Sequence, residues 1–286
     1  MFIDKDGQAY IYYSLNRIFA AKLKEDMLEL ATAPVVIGDL PTKGLVEGPY
    51  LFERNGIYYM TYPHVQNKTE RLEYAMSNNP LGPFKVTGVI MDESPTGCWT
   101  NHHSFIEYKG QWYLFYHHND YSPKFDKNRS ARIDSLFFNI DGTIVKVIPT
   151  LRGVGVTKAT QEIQIDRYSQ ISDKGASIAF LDSLNTFKGW KTMFNANGAW
   201  IKYNSIDFGK KKAKTVAVRV SSKNGGVIQI KLNDRQGPLI AEVKIPEGNN
   251  WNVINGRILK KQKGIHNLVV VLKDSNPVEV DWIQFK

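Results

Sequence analysis

Three stretches in the first half of the chain align without a gap: FIDKDGQAYIYY from Phe2, LFERNGIYYMTY from Leu51 and FIEYKGQWYLFY from Phe105. Each opens on two apolar residues, runs through an acidic and two polar positions to a glycine, and closes on an aromatic-rich run. This is the pattern of a β-hairpin, in which Asp6-Gly7, Asn55-Gly56 or Lys109-Gly110 turns the chain and an alternating, tyrosine-rich strand returns. A weaker copy, FFNIDGTIVKV, begins at Phe137. The glycines recur about 50 residues apart, the period of propeller blades built from four-stranded sheets, and nothing between them has helical periodicity. A meander sandwich with look-alike hairpins is the alternative; the gapless alignment favours blades.

Beyond about Val156 the repeat stops. After a short polar stretch, Thr157 to Gln161, a new series of short strands begins: AWIKYNSIDF, TVAVRVSS, GVIQIKL, LIAEVKI, NLVVVLKD and VEVDWIQF. Their alternation, with Gly, Asn, Asp and Pro between them, predicts an antiparallel β-sandwich. The expected organisation is all-β: a propeller-like domain over 1–158 and a sandwich over 163–286.

A chain of 286 residues with 42% hydrophobic content can bury two such cores. Its net charge of +9 is scattered, and its densest run, Lys210-Lys211-Lys212, reads as a solvated turn, so no nucleic-acid partner is expected. The single cysteine, Cys98, has no internal partner for a disulfide and reads as a small apolar side chain. No apolar run reaches the roughly 20 residues needed to span a bilayer, and the first residues lack the form of a signal peptide, so no membrane partner is expected.

The residue that stands out as chemistry is Glu47, in Val46-Glu47-Gly48-Pro49 directly ahead of the second repeat. A carboxylate on an inner strand, beside a glycine and a proline that fix the backbone, is a candidate general acid. A turn glutamate in a Gly-Pro corner is the plainer alternative.

EGPYLFERNGIYYMTY, TNHHSFIEYKGQWYLFYHH and NRSARIDSLFFNIDGTIVKV together resemble successive blades of glycoside hydrolase family 43, over residues 2 to about 156. The resemblance implies a five-bladed propeller and an inverting glycosidase, a β-xylosidase or α-L-arabinofuranosidase acting on xylan or arabinoxylan, with Glu47 as the acid that protonates the leaving oxygen. It implies that His102 lies on the propeller axis near a calcium ion or water, that Arg129 reaches toward the terminal sugar and that Trp99 can stack on a ring. The family's base and a second, tuning aspartate match positions ahead of residue 1. The expectation is therefore a partial propeller, with the remaining blades as a partner chain in one reading. Asp4 and Asp6 belong to the first hairpin turn and are poor substitutes for either carboxylate.

The second half resembles carbohydrate-binding module family 6, through IQIDRYS from Ile163, NGAWIKY from Asn197, GGVIQIKLNDRQGPLIAEVKI from Gly225, GIHNLVVVLKD from Gly264 and the final VDWIQF. Such modules sandwich a sugar between aromatic side chains at the loop end; here the resemblance implies Trp251, in an Asn249-Asn250-Trp251 loop, with Phe194 as its partner. A structural calcium is implied at Gln164, Asp166 and Asp281, and no organic cofactor. Glu279 and Ala199 depart from the family's binding pattern. The expected partner is plant cell-wall polysaccharide, outside the cytoplasm or in the periplasm. The competing reading is a carbohydrate-binding protein without catalysis.

Overall fold

Each of the three aligned segments forms a hairpin in the computed structural model, which describes residues 1–210 and 213–286; Lys211 and Lys212 of the lysine run lie outside the described residues. In the second hairpin, β5 (Tyr50–Arg54) and β6 (Ile57–Val65) pair as far as Arg54↔Ile57. The two loop residues there, Asn55 and Gly56, have φ of 54° and 81°. Two consecutive left-handed residues match the twist of the flanking strands, which is why an Asn-Gly pair is selected at this position. Lys109 and Gly110 repeat the arrangement between β9 (His103–Tyr108) and β10 (Gln111–His118). The first hairpin, β1 (Phe2–Ile3) and β2 (Ala9–Ser14), has a longer loop in which Gly7 N–H donates to the Asp4 carbonyl at 2.9 Å.

These hairpins grow into three antiparallel sheets. The first adds β3 (Ile18–Lys22) and β4 (Val35–Val36), in the order β1-β2-β3-β4. The second adds β7 (Glu70–Ser77) and β8 (Lys85–Met91), in the order β5-β6-β7-β8. The third adds β11 (Ser130–Leu136), in the order β11-β10-β9. One core joins the first two sheets through Tyr12, Ile18, Leu51, Met60 and Tyr62; another joins the second and third through Phe52, Tyr59, Phe105, Leu114 and Leu136. Phe52 stacks on Tyr59 with ring centroids 4.6 Å apart and meets Phe105 at 4.8 Å. The aromatic residues of the repeat are thus the cement between consecutive blades. The weak fourth copy makes a turn closed by a Phe138↔Ile144 bridge, fixed by the Tyr59 hydroxyl donating to the Gly142 carbonyl at 2.7 Å.

The unit formed this way is Met1–Pro149, and the second is Thr150–Lys286. The second contains β12 (Thr157–Lys158), β13 (Ile163–Gln164), β14 (Gln170–Ile171), β15 (Ala176–Phe180), β16 (Trp190–Phe194), β17 (Trp200–Asp207), β18 (Thr215–Ser222), β19 (Gly226–Leu232), β20 (Leu239–Ile245), β21 (Gly248–Arg257), β22 (Ile265–Leu272) and β23 (Val278–Phe285). One sheet runs β12-β17-β22-β19-β20 with β14 beside β17; the other runs β15-β16-β23-β18-β21 with β13 beside β23. Alternate residues of the two sheets, among them Ile201, Ile230, Val270, Val218, Val280 and Ile283, close a fully buried core. The division falls earlier than the polar stretch suggests, because Thr157 and Lys158 pair in parallel with Ile206 and Asp207 of the sandwich.

Candidate functional site

Glu47 lies in the loop leading into β5, not on a strand, and its side chain is half exposed. Its Oε1 is 3.2 Å from His102 Nε2, at the entry to β9. A third residue completes the group: Glu70, at the start of β7, offers a carboxylate oxygen so that one donor atom from each of Glu47, Glu70 and His102 lies within 4.8 Å of the others. Glu70 is buried and accepts the backbone N–H of Asn101 at 2.7 Å. Burial pushes its carboxyl above the usual range; the Asn101 N–H and the charge of His102 work against this, and Glu47 adds to it.

Arg129 is exposed, yet its charge acts on both Glu70 and His117, which places it in the same neighbourhood. Trp99 is half-buried and its backbone spans the gap between two elements: its carbonyl accepts the Glu70 backbone N–H at 3.1 Å and its backbone N–H donates to the Asp126 carbonyl at 2.8 Å. Behind His102, burial pushes His117 down to about 4, with Arg129 adding to the effect, and pushes His103 and His118 down to about 3. The site therefore has one exposed carboxylate and one half-exposed imidazole with a cation in the same neighbourhood, and the His117 ring lies 6.2 Å from that of His102. Tyr62 and Trp112 belong to the blade cores.

No motif marks Glu70 as a site residue, although the sequence carries a signal. In the strand ERLEY, Glu70 is in phase with Leu72 and Tyr74, which are buried in the core. A carboxylate on that inward phase has to be explained by a partner or a role.

For the calcium ion implied on the axis, His102 with Glu47 and Glu70 is the available donor set among the described residues. It is a poor fit. Calcium takes six to eight oxygen ligands, and a cation on Glu47 would hold that carboxylate ionised, the wrong state for a proton donor. At the second implied calcium site, only the Asp281 pairing bears on the question. Asp281 accepts from the guanidinium of Arg219, which opposes a metal ion there, while Asp166 is buried and Gln164 is paired in register with Trp282.

In the sandwich, Trp251 lies within β21, at the edge of its sheet, and not in a loop. Phe194, expected to be its stacking partner, is fully buried in the core at the end of β16, so it cannot present a face to a sugar. Ala199 is likewise a core residue. What Trp251 does border is a groove of about 580 Å³ across that sheet, lined also by Phe180, Asp182, Lys188, Lys191 and Arg219. Arg219 sits 5.1 Å over the indole ring. Lys191 pairs with Glu279 at 2.8 Å and Lys188 with Asp182 at 2.9 Å. A half-buried indole among paired charges offers an apolar platform with donors and acceptors around it, the combination that holds a sugar ring.

Residues 1–144 match the family model described as glycosyl hydrolases family 43, and residues 171–286 match the one described as carbohydrate binding module (family 6). An arabinoxylan arabinofuranohydrolase of Paenibacillus polymyxa is 28% identical over 99% of this chain and 50% of its own length. A xylosidase/arabinosidase of Bacteroides ovatus is 39% identical over 44% of this chain and 41% of its own. In fold, the chain is similar to the crystal structure of a glycoside hydrolase family 43 arabinoxylan arabinofuranohydrolase from Bacillus subtilis in complex with cellotetraose. That similarity has a TM-score of 0.53 at 23% identity and covers 100% of this chain and 66% of that one. The chain spans about half the length of the curated relatives it matches.

Proposed function

The chain belongs to glycosyl hydrolases family 43, and on that premise we propose that it serves the hydrolysis of xylose or arabinose linkages in xylan or arabinoxylan, with Glu47 as general acid and the sandwich holding the polymer. The observation that carries this is the placement of Glu47: an exposed carboxylate, 3.2 Å from an imidazole, with a buried carboxylate behind it and Arg129 in the same neighbourhood.

In an inverting reaction one carboxylic acid protonates the departing oxygen while a second carboxylate activates water from the far side, roughly 6.5–9.5 Å away. Glu47 has the access for the first role. Glu70 does not suit the second: it is too close to the acid and too deeply buried to hold a water against the opposite face of a sugar, so the carboxylate that takes the water's proton is not one of this pair. Burial, with the charge of Glu47 beside it, favours the protonated form of Glu70 itself. His102 orients Glu47, and Arg129 supplies donors for sugar hydroxyls. A polymeric substrate places the reaction outside the cytoplasm.

A second reading, sugar binding without hydrolysis, draws on the Trp251 groove, whose lining residues all lie in the second unit. Incubation of the chain with arabinoxylan, with chromatography of released monosaccharides, separates the two. Release of arabinose or xylose supports the first reading; retention on an arabinoxylan affinity gel with no sugar released supports the second.

A further inference from the structure

Glu47 is carried by a segment with little packing of its own: between positions 41 and 49, Leu45 is the one buried residue. What fixes the start of this segment is His64, on β6 and almost wholly buried. Its Nε2 lies 2.9 Å from the Lys43 carbonyl, and its Nδ1 lies 2.7 Å from Glu73 Oε1. A carbonyl oxygen only accepts, so Nε2 carries a proton. The same Glu73 oxygen already accepts from Arg71, through Nε at 2.6 Å and Nη2 at 2.5 Å, and the Tyr62 hydroxyl also faces this carboxylate. An oxygen that takes two guanidinium donors meets Nδ1 as an acceptor as well.

We propose that His64 carries both ring protons, and that this ring, gripped by Glu73, is the clamp that sets the reach of the Glu47 segment: a positioning residue for the acid. The purpose of the clamp rests on the reading of Glu47 given above; its existence does not. Gly44 shows how closely the segment is held. With φ of +77°, a Cβ there would come 2.2 Å from the Val65 carbonyl oxygen and 3.0 Å from His64 Nε2, so only glycine lets the backbone lie against the ring. Val65 N–H donates to the Gly44 carbonyl at 2.9 Å, which makes this amide a local reporter of the clamp.

The test uses the full chain as wild type, His64→Ala, His64→Gln and Glu73→Gln, reading the ring nitrogens of His64 by long-range ¹⁵N NMR at neutral pH and hydrogen exchange at Val65. Both nitrogens in the protonated range, with Val65 exchange about tenfold to hundredfold faster in His64→Ala, is the expected result. His64→Gln, which keeps an N–H for Lys43, should restore part of the protection. One unprotonated nitrogen in the wild type, or unchanged Val65 exchange in His64→Ala, would overturn the clamp. If His64→Ala does not fold, the ring nitrogens and the His64→Gln exchange decide alone.

Activity supplies the readout that a merely structural role would not move. A misplaced acid slows glycosides of poor leaving groups more than those of good ones, so His64→Ala should lose rate selectively on the former. Equal losses on both would overturn the positioning role. A wild type inactive on both would remove the acid reading instead, leaving the ring nitrogens and Val65 exchange to decide the clamp.

Discussion

The thiol of Cys98 has no exposed surface and donates to the Thr100 carbonyl at 3.3 Å, and burial pushes it above its ordinary range. It should therefore be inert to thiol reagents in the native chain and react only on unfolding; rapid labelling of the folded protein would contradict this placement. The buried imidazoles give a second expectation. His103, His117 and His118 hold a proton in the fold only below about 3 to 4, whereas an unfolded histidine takes one up near 6.5. Between those values the unfolded state binds more protons, so stability should fall as pH drops from about 6.5 toward 4. Thermal denaturation across that window checks it, with His118→Gln showing the shallower slope. Phe194, read from the sequence as a sugar-stacking ring, is core instead, and Phe194→Ala should cost about 3–5 kcal/mol of stability while leaving the groove residues in place.

At the scale of elements, legibility in the sequence follows how local the physics is. The hairpins were readable because Asn55-Gly56 and Lys109-Gly110 dictate their own turns. Trp251 was misplaced for the opposite reason: Asn249 and Asn250 have the composition of a loop, but ladder pairing with β18, Val220↔Asn252 among it, draws the segment into an edge strand. Glu70 and His64 were missed because their meaning is made across elements, by Asn101 in one case and by Lys43 and Glu73 in the other. Glu47 was found, although its exact seat, in a loop and not on a strand, was not. With Trp251 bordering the groove, Trp251→Ala should weaken retention on an arabinoxylan affinity gel about tenfold or more, the loss expected for an aromatic platform, and Phe194→Ala should not change it per folded molecule.

The whole molecule is two all-β units of different design, one built on a repeated hairpin and one on alternating strands of a sandwich. The second unit closes a core from its own two sheets, so residues 150–286 expressed alone should unfold in a single cooperative transition and keep whatever polysaccharide affinity the full chain shows. The claim on which the functional account turns is narrower: that Glu47 is a proton donor. Its most direct test is the rate of hydrolysis of an aryl β-xyloside and an aryl α-L-arabinofuranoside by the wild-type chain and by Glu47→Gln. The account predicts hydrolysis of at least one substrate, reduced about a hundredfold or more in Glu47→Gln where the leaving group is poor; equal rates in the two proteins, or hydrolysis by neither, would contradict it.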